Sequence, residues 1–468
     1  MSRYASRFVC AGCGAEPDPR DTPFRCPNAG RDDDVDHVLR RQLDLAAVRF
    51  PVADPEPNPF VRYRGLFHAY HLALSDGLSD DAFCELVSRL DEAVGAVDGH
   101  GFSVTPFARS AELSEALGFS GEGGVWVKDE TGNVSGSHKA RHLFGALVYL
   151  EVAEHLGLAG PARRPELAIA SCGNAALAAA VVAAAGGRVL RVFVPADANP
   201  LVLGRLEDLG ALVTVCPRDG LAGDPAYRRL LEALAGDALP FTCQGSLNGL
   251  AIEGGETLGW EIASSGATLD RLVVQVGGGA LASACIHAFR EAVELGVLGA
   301  SPRIDTVQTT GAWPLRRAFD AVVARIDGAG PGEALHYAAH HRSEFMWPWE
   351  REPRSIAHGI LDDETYDWVA VVEGMLATGG RPLVVDEAIL GRANALAVET
   401  TGIDVDPTGS AGLAGLLALR AAGEVGDDER VAVLFTGVAR SRSSETKERF
   451  DEKLSRPRHP VAQGLRAR

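Results

Sequence analysis

Lysine is nearly missing from this 468-residue chain: Lys128, Lys139, Lys447 and Lys453 are the only four among 45 basic residues, and the rest are arginines. Arginine stays protonated in proteins and neither forms an imine nor acts as a base near neutrality, so a mid-chain lysine is the first residue to inspect. Basic residues are themselves in the minority, with 63 aspartates and glutamates and a net charge of -18. A surface that acidic repels phosphate backbones, and no local basic patch offsets it, so no nucleic-acid partner is expected. No stretch approaches the ~18 apolar residues of a membrane span, and the opening MSRYASRFVC lacks the apolar core of a signal peptide. A cytosolic protein without a membrane partner is expected. Its eight cysteines are then reduced thiols or metal ligands and not a disulfide framework. Internal repeats and low-complexity segments are absent from the sequence. With 46% hydrophobic and 23% charged residues the composition is that of a folded protein, long enough for about three domains.

What is present is ordered along the chain. Residues 1–50 form a small cysteine-containing, ribbon-like unit, with Cys10-Ala-Gly-Cys13 and Cys26-Pro, and a proline-rich connector follows at 51–60. Residues 60–120 read as helical with polar breaks. Beyond them, short β-branched runs at 125–127, 167–170, 189–194, 212–215, 272–276, 304–308 and 431–435 alternate with helical stretches. That alternation predicts parallel sheets covered on both faces, with ligands at the carboxyl ends of the strands. A segment at 327–356, with His340, His341, Trp347 and Trp349, reads as an irregular capping loop or interface.

Three loops follow such strands. The first ends in Ser137-His138-Lys139 and opens a helix. Positive charge is disfavoured at a helix N-terminus, so Lys139 is a candidate for imine chemistry; a solvated first-turn lysine is the alternative. The second reads Ser171-Cys172-Gly173-Asn174, where free amides of a helix start can take a carboxylate. Asn174 either donates to a ligand oxygen or caps its helix, and Cys172 reads as a small filler and not a nucleophile. The third, Gly277-Gly278-Gly279-Ala280-Leu281, lets backbone amides wrap a phosphate, or is a plain turn. No acidic residue for a ribose ends the next strand, so the loop suits a small phosphorylated ligand better than a dinucleotide.

The segments KDETGNVSGSHKARH, SCGNAALAAA, EGGETLGWEI, VGGGALAS, DPTGSAGLAGL and VLFTG, in this order and spacing, resemble the tryptophan-synthase-β superfamily of fold-type-II pyridoxal-phosphate enzymes, and threonine synthases within it. The resemblance implies two three-layer α/β/α domains of that type interleaved over 60–440, with the cysteine unit before them and a tail at 441–468. It implies that Lys139 carries pyridoxal phosphate and that Asn174 meets its 3′ oxygen. The amides of Gly277, Gly278, Gly279, Ala280 and Leu281 would hold its phosphate, and Thr436 would partner its ring nitrogen. Ser137, Ser171, Cys172, Gly173, Ser246 and Asn248 would face an amino-acid substrate. The implied activity is a lyase performing β/γ-elimination or replacement. A serine/threonine ammonia-lyase and a cofactor-binding regulatory protein without turnover stand as alternatives, and a homodimer is left open.

Two departures accompany the resemblance. Ser-His-Lys-Ala-Arg stands where threonine synthases usually read Ser-Phe-Lys-Asp-Arg. Gly245 and Ala251 occupy the places of an asparagine and an arginine that hold a substrate phosphate there, which predicts that O-phosphohomoserine is a poor substrate. The N-terminal cysteines resemble the ribbon that precedes some threonine synthases. Cys10, Cys13 and Cys26 with His37 would make a Cys3His zinc site; a decayed ribbon that binds nothing is the alternative.

Overall fold

Every apolar run singled out above forms a strand, because short β-branched stretches fit a pleated surface, and all but the exposed edge run at 212–215 are largely buried. The computed structural model describes residues 4–18, 24–30, 33–158, 164–218 and 224–440; the expected tail at 441–468 lies outside them. Met1–Val438 make up one unit and Ala439–Arg468 a second.

The strands, numbered in chain order, fall into three sheets. β1 (Ser6–Cys10) and β2 (Leu39–Leu43) pair antiparallel. β3 (Phe107–Ser110), β4 (Gly124–Asp129), β9 (Arg271–Gln275), β10 (Arg303–Thr309), β11 (Pro382–Val385) and β12 (Arg430–Phe435) form a sheet in the order β11-β10-β9-β12-β4-β3. All its pairings are parallel except β3 with β4. β5 (Leu167–Ala170), β6 (Leu190–Pro195), β7 (Leu212–Cys216) and β8 (Leu239–Pro240) form a parallel sheet in the order β7-β6-β5-β8.

Alternation along the strands builds a core on each face. Leu272 and Val274 of β9 and Ala432 and Leu434 of β12 join one cluster, while Val273, Val431, Val433 and Phe435 join another. In the smaller sheet Leu167, Ile169, Val192 and Val194 face one core, and Ala168 and Phe193 the other. Period-two side chains feeding two separate cores give the expected three-layer arrangement twice.

The helix Lys139–His155 is buried on nearly every side and packs on the helix Leu250–Ser264. The approach is close enough to require glycine: a Cβ on Gly254 would collide with the Arg141 carbonyl, and one on Gly145 would stand 2.7 Å from the Gly254 Cα. This crossing fixes the end of the helix that carries Lys139.

The structure departs from the sequence reading in two places. The segment at 327–356 is not irregular throughout, since Pro331–His340 is a helix. Pro331 sits at its start, where a missing N–H costs nothing and the fixed φ suits a helix. The five-residue strands β1 and β2 went unseen, as did β3, β8 and β11. The last three are two to four residues long, at or near sheet edges, too short for a period to register.

Candidate active site

Strand order brings the predicted loops together. β12 lies between β4 and β9, with Leu434 opposite Lys128 and Val433 opposite Val273. The residues after these strands share one end of the sheet: the Lys139 loop after β4, the glycine loop after β9 and Thr436 after β12. Ser137 bridges to Gly437, and both the His138 N–H (3.2 Å) and its Nδ1 (3.1 Å) reach the Thr436 carbonyl. That contact makes Nδ1 the protonated nitrogen, and burial holds the His138 pKa well below the usual histidine range. His138 is therefore a neutral clamp joining the first loop to the last. Ser135, earlier in the same loop, has a φ of 57°, an uncommon left-handed conformation for a side-chain-bearing residue and a typical mark of a functional loop.

The two mid-chain lysines separate cleanly. Lys128 is fully buried, and its Nζ is spent on Glu261 at 2.5 Å and the Thr105 carbonyl at 2.8 Å. Lys139 is half-buried at the first position of its helix. Its charge acts on Cys243, Asp362 and Asp367, each pushed up by burial and drawn back by the ammonium. Arg141 does not face the same space. Its guanidinium is fully buried between Glu130 (2.8 Å) and Glu261 (2.6 Å).

Thr436 is the residue whose proton the geometry directs. The Gln275 Nε2 donates to the carbonyls of Gly409 (2.8 Å) and Leu434 (3.2 Å), which fixes the orientation of the amide. The same nitrogen reaches the Thr436 Oγ1 at 2.7 Å, so the hydroxyl accepts there and keeps its own proton for another acceptor. Asn174, from the other sheet, places its Nδ2 against Gly437, beside Thr436. It is the first helical residue and not the cap, a position held by Gly173. Of the remaining residues on that loop, burial raises the Cys172 thiol pKa and so disfavours a thiolate. Ser171 and Gly173 stay within it, half-buried. Ser137 is fully buried, with its Oγ left without a protein partner. Ser246 is half-buried, and the Asn248 Nδ2 is occupied by the Pro240 and Thr242 carbonyls, each at 3.2 Å.

The glycine loop is roofed by residues 362–367, which the sequence reading did not single out. Thr365 Oγ1 donates to the Gly277 carbonyl (3.0 Å), and the Asp367 N–H donates to that of Gly278 (3.1 Å). Gly279, at φ 98°, turns the loop into the helix Ala280–Glu294, where Ala280 and Leu281 are buried. Asp362 accepts the Gly278 N–H, and burial pushes its pKa up to about 6. The Asp362 carboxyl thus occupies the amide of Gly278.

The four N-terminal ligand candidates come together. Ligand atoms of Cys10, Cys13, Cys26 and His37 all lie within 4.8 Å of one another, with the Cys13 and Cys26 sulfurs 3.5 Å apart. Tetrahedral zinc with bonds of about 2.3 Å to sulfur requires sulfurs about 3.7 Å apart, so the set fits that ion. His37 Nε2 meets Asp33 at 3.1 Å, the outer carboxylate that orients a ligating imidazole. From β2 of this unit, Arg41 enters the catalytic core. Fully buried, it pairs with Glu253 (3.1 Å), Glu291 (2.8 Å) and Glu256, and lies over the Trp260 ring.

Comparison with known proteins bears on the family and the fold. The profile of a family described as pyridoxal-phosphate dependent enzyme matches residues 100–437. A threonine synthase of Methanosarcina acetivorans is 28% identical over 338 residues, covering 71% of this chain and 74% of that protein. One from Methanocaldococcus jannaschii is 26% identical over the same shares. Among solved structures, maize serine racemase superposes with a TM-score of 0.55 at 17% identity, covering 79% of this chain and 98% of that one. The processed form of threonine deaminase isoform 2 from Solanum lycopersicum gives 0.55 at 16% identity, covering 81% and 95%. At these identities the solved structures speak for the fold alone.

Proposed function

The chain belongs to the pyridoxal-phosphate-dependent enzymes, and we propose that it is a threonine-synthase-like lyase that eliminates or replaces a group at Cβ or Cγ of an amino acid. The residues present suit the cofactor. Lys139 would supply the amine for its aldehyde and Asn174 an amide for its phenolic oxygen, and the loop from Gly277 to Leu281 would supply amides for its phosphate, with Asp362 giving up the Gly278 N–H that it holds here. The observation that carries the reading is the Thr436 hydroxyl, which accepts from Gln275 and so has a proton to donate to an unprotonated ring nitrogen. Pyridoxal phosphate, when bound, supplies an electron sink for charge at Cα, and a hydroxyl instead of a carboxylate at its nitrogen suits elimination or replacement better than transamination. Lys139, as the amine at the start of its helix, would hold the cofactor and, when free, would serve as the base that moves a substrate proton. His138, neutral and bound to the Thr436 carbonyl, holds Lys139 and Thr436 in one frame. Ser137 Oγ, buried next to Lys139, is free to bind the substrate carboxylate together with the Ser171–Gly173 loop. Zinc is the proposed occupant of Cys10, Cys13, Cys26 and His37.

Borohydride reduction of the holoprotein followed by peptide mapping tests this. The expected adduct is on Lys139, and Lys139→Ala abolishes turnover. An adduct on Lys128, or none, overturns the proposal. Product analysis separates the chemistries, since ammonia with a ketoacid from serine or threonine, and no replacement product, would make the enzyme an ammonia-lyase.

A further inference from the structure

Asp367 opens the helix Trp368–Thr378 without capping it, and its side chain is buried at 2% exposure. One carboxylate oxygen, Oδ2, accepts the Gly245 N–H at 3.3 Å; the other, Oδ1, has no partner in the protein. The carboxylate stands between the two loops that frame the site. A Cβ on Gly279 would lie 3.2 Å from the Asp367 Cβ, and a Cβ on Gly245 would collide with Oδ1. Asp367 therefore fills the space a side chain at position 245 would take, within range of the Lys139 charge. The other charges that act on it are Asp36, also negative, and Arg40, already paired with Glu373 at 2.6 Å. On the 244–248 loop the buried side-chain atoms left without a partner are Gln244 Oε1 and Asn248 Oδ1, both acceptors.

Burial pushes the Asp367 pKa up to about 7, so a donor brought to its unmet oxygen both satisfies that oxygen and favours the charged form, whereas an anion brought there does neither. We propose that Asp367 reads the far end of the substrate, and that this end carries a nitrogen-borne donor, an ammonium or amide group, in place of a phosphate or carboxylate. This rests on Lys139 carrying the cofactor, and it adds the class of side chain that the enzyme accepts. Sites that pair a buried polar group with a substrate donor discriminate strongly, because the wrong ligand leaves that group unsatisfied.

The test is a binding titration of the holoenzyme, read from the absorbance of its bound cofactor, with L-2,4-diaminobutyrate, L-asparagine, L-aspartate, O-phospho-L-serine and L-serine. Diaminobutyrate and asparagine are expected to bind at least about tenfold more tightly than aspartate and phosphoserine. Asp367→Asn should reduce that ratio about tenfold or more while serine, which lacks a far group, changes by less than about threefold. Gly245→Ala, which pushes the carboxylate aside without removing it, should lower the same ratio and guards against a folding defect in the first variant. A wild-type preference for phosphoserine, or a ratio untouched by both variants, overturns the inference. The borohydride adduct is mapped on the same sample. An adduct on Lys139 with no Asp367-dependent ratio sinks only this inference, whereas no adduct there sinks the functional reading as well.

Discussion

Thr436→Val isolates one hydroxyl. Valine keeps the shape of threonine, so the buried site at 2% exposure stays filled. Gln275 loses one acceptor but keeps the Gly409 and Leu434 carbonyls for its two amide protons, so no buried donor is stranded. Stability should therefore fall by no more than about 1.5 kcal/mol, the range of one neutral hydrogen bond. If Thr436 donates to the ring nitrogen, a bond of about 0.5–1.5 kcal/mol is lost at the reacting group, which converts to roughly a 2- to 13-fold loss in kcat/KM. Thr436→Ser restores the hydroxyl and should recover most of it. Ser410 is the competing hydroxyl on a neighbouring loop, but its Oγ already donates to the Asp406 carbonyl and accepts from Asn394, each at 3.0 Å. Ser410→Ala should then leave the cofactor's spectrum unchanged. The assay is steady-state kinetics with cofactor occupancy checked by absorbance. An unchanged kcat/KM at full occupancy in Thr436→Val would refute the assignment.

O-phosphohomoserine should be a poor substrate, down about one to two orders of magnitude in kcat/KM for want of one charge-assisted contact worth roughly 1.5–3 kcal/mol. Ala251 is fully buried with its carbonyl on His142, Arg141 is committed to Glu130 and Glu261, and Arg205 is half-exposed near Asp98, so none offers a guanidinium; efficient threonine production in a kinetic assay would contradict this. His68 is buried neutral, its pKa pushed down to about 3 by burial, so the stability it contributes is present above the unfolded value near 6.5 and is lost as pH falls toward 3. His68→Gln should flatten stability against pH, measured by urea unfolding between pH 6.5 and 4.5, by about 1.4 kcal/mol per pH unit, and an unchanged slope would show that the imidazole is not buried neutral. Elemental analysis of the full chain should find about one zinc per chain, and Cys26→Ser should lower that content along with the midpoint of thermal unfolding; a metal-free wild type would instead mark the ribbon as decayed.

Local signals carried the loops, and they failed where chemistry depends on long-range packing. A strand ending in glycines before a helix is legible because each feature is contiguous, and so the loops that carry Lys139, Asn174 and Gly277 to Leu281 could be singled out from the chain. Thr436 was singled out by the resemblance, which places it after the last apolar run. Its partner Gln275 was not, since a polar residue ending a buried strand looks like the strand's limit until β12 is laid beside β9. Asp362 and Asp367 belong to an acidic stretch that, in an acidic protein, reads as solvated surface. Only the folded chain turns that stretch over the glycine loop. Among the N-terminal ligand candidates, His37 lies eleven residues past Cys26, and the antiparallel pairing of β1 with β2, with Leu39 opposite Cys10, brings it beside Cys10.

The segment EGGETLGWEI, one of those that carry the resemblance, serves packing. Its three glutamates look like site chemistry, yet Glu253 and Glu256 hold Arg41 from the N-terminal unit, and Glu261 holds Arg141 and Lys128. The helix Leu250–Ser264 is thus a carboxyl-bearing spine held by two arginines and one lysine, with burial pushing the pKa values of Glu253 and Glu256 up and Arg141 and Lys128 holding that of Glu261 down against its burial, and its glycines let the Lys139 helix lie against it. Buried arginine suits that task, being permanently charged and able to bond two carboxylates at once. Such pairs add little net stability over apolar packing, but losing one member strands a buried charge at a cost of about 3–5 kcal/mol. Arg41→Met should accordingly destabilise the chain through Glu253, Glu256 and Glu291 without touching the reacting groups. The unfolding midpoint should drop while the borohydride adduct still maps to Lys139; loss of the adduct at a temperature where the chain stays folded would place Arg41 in the site itself.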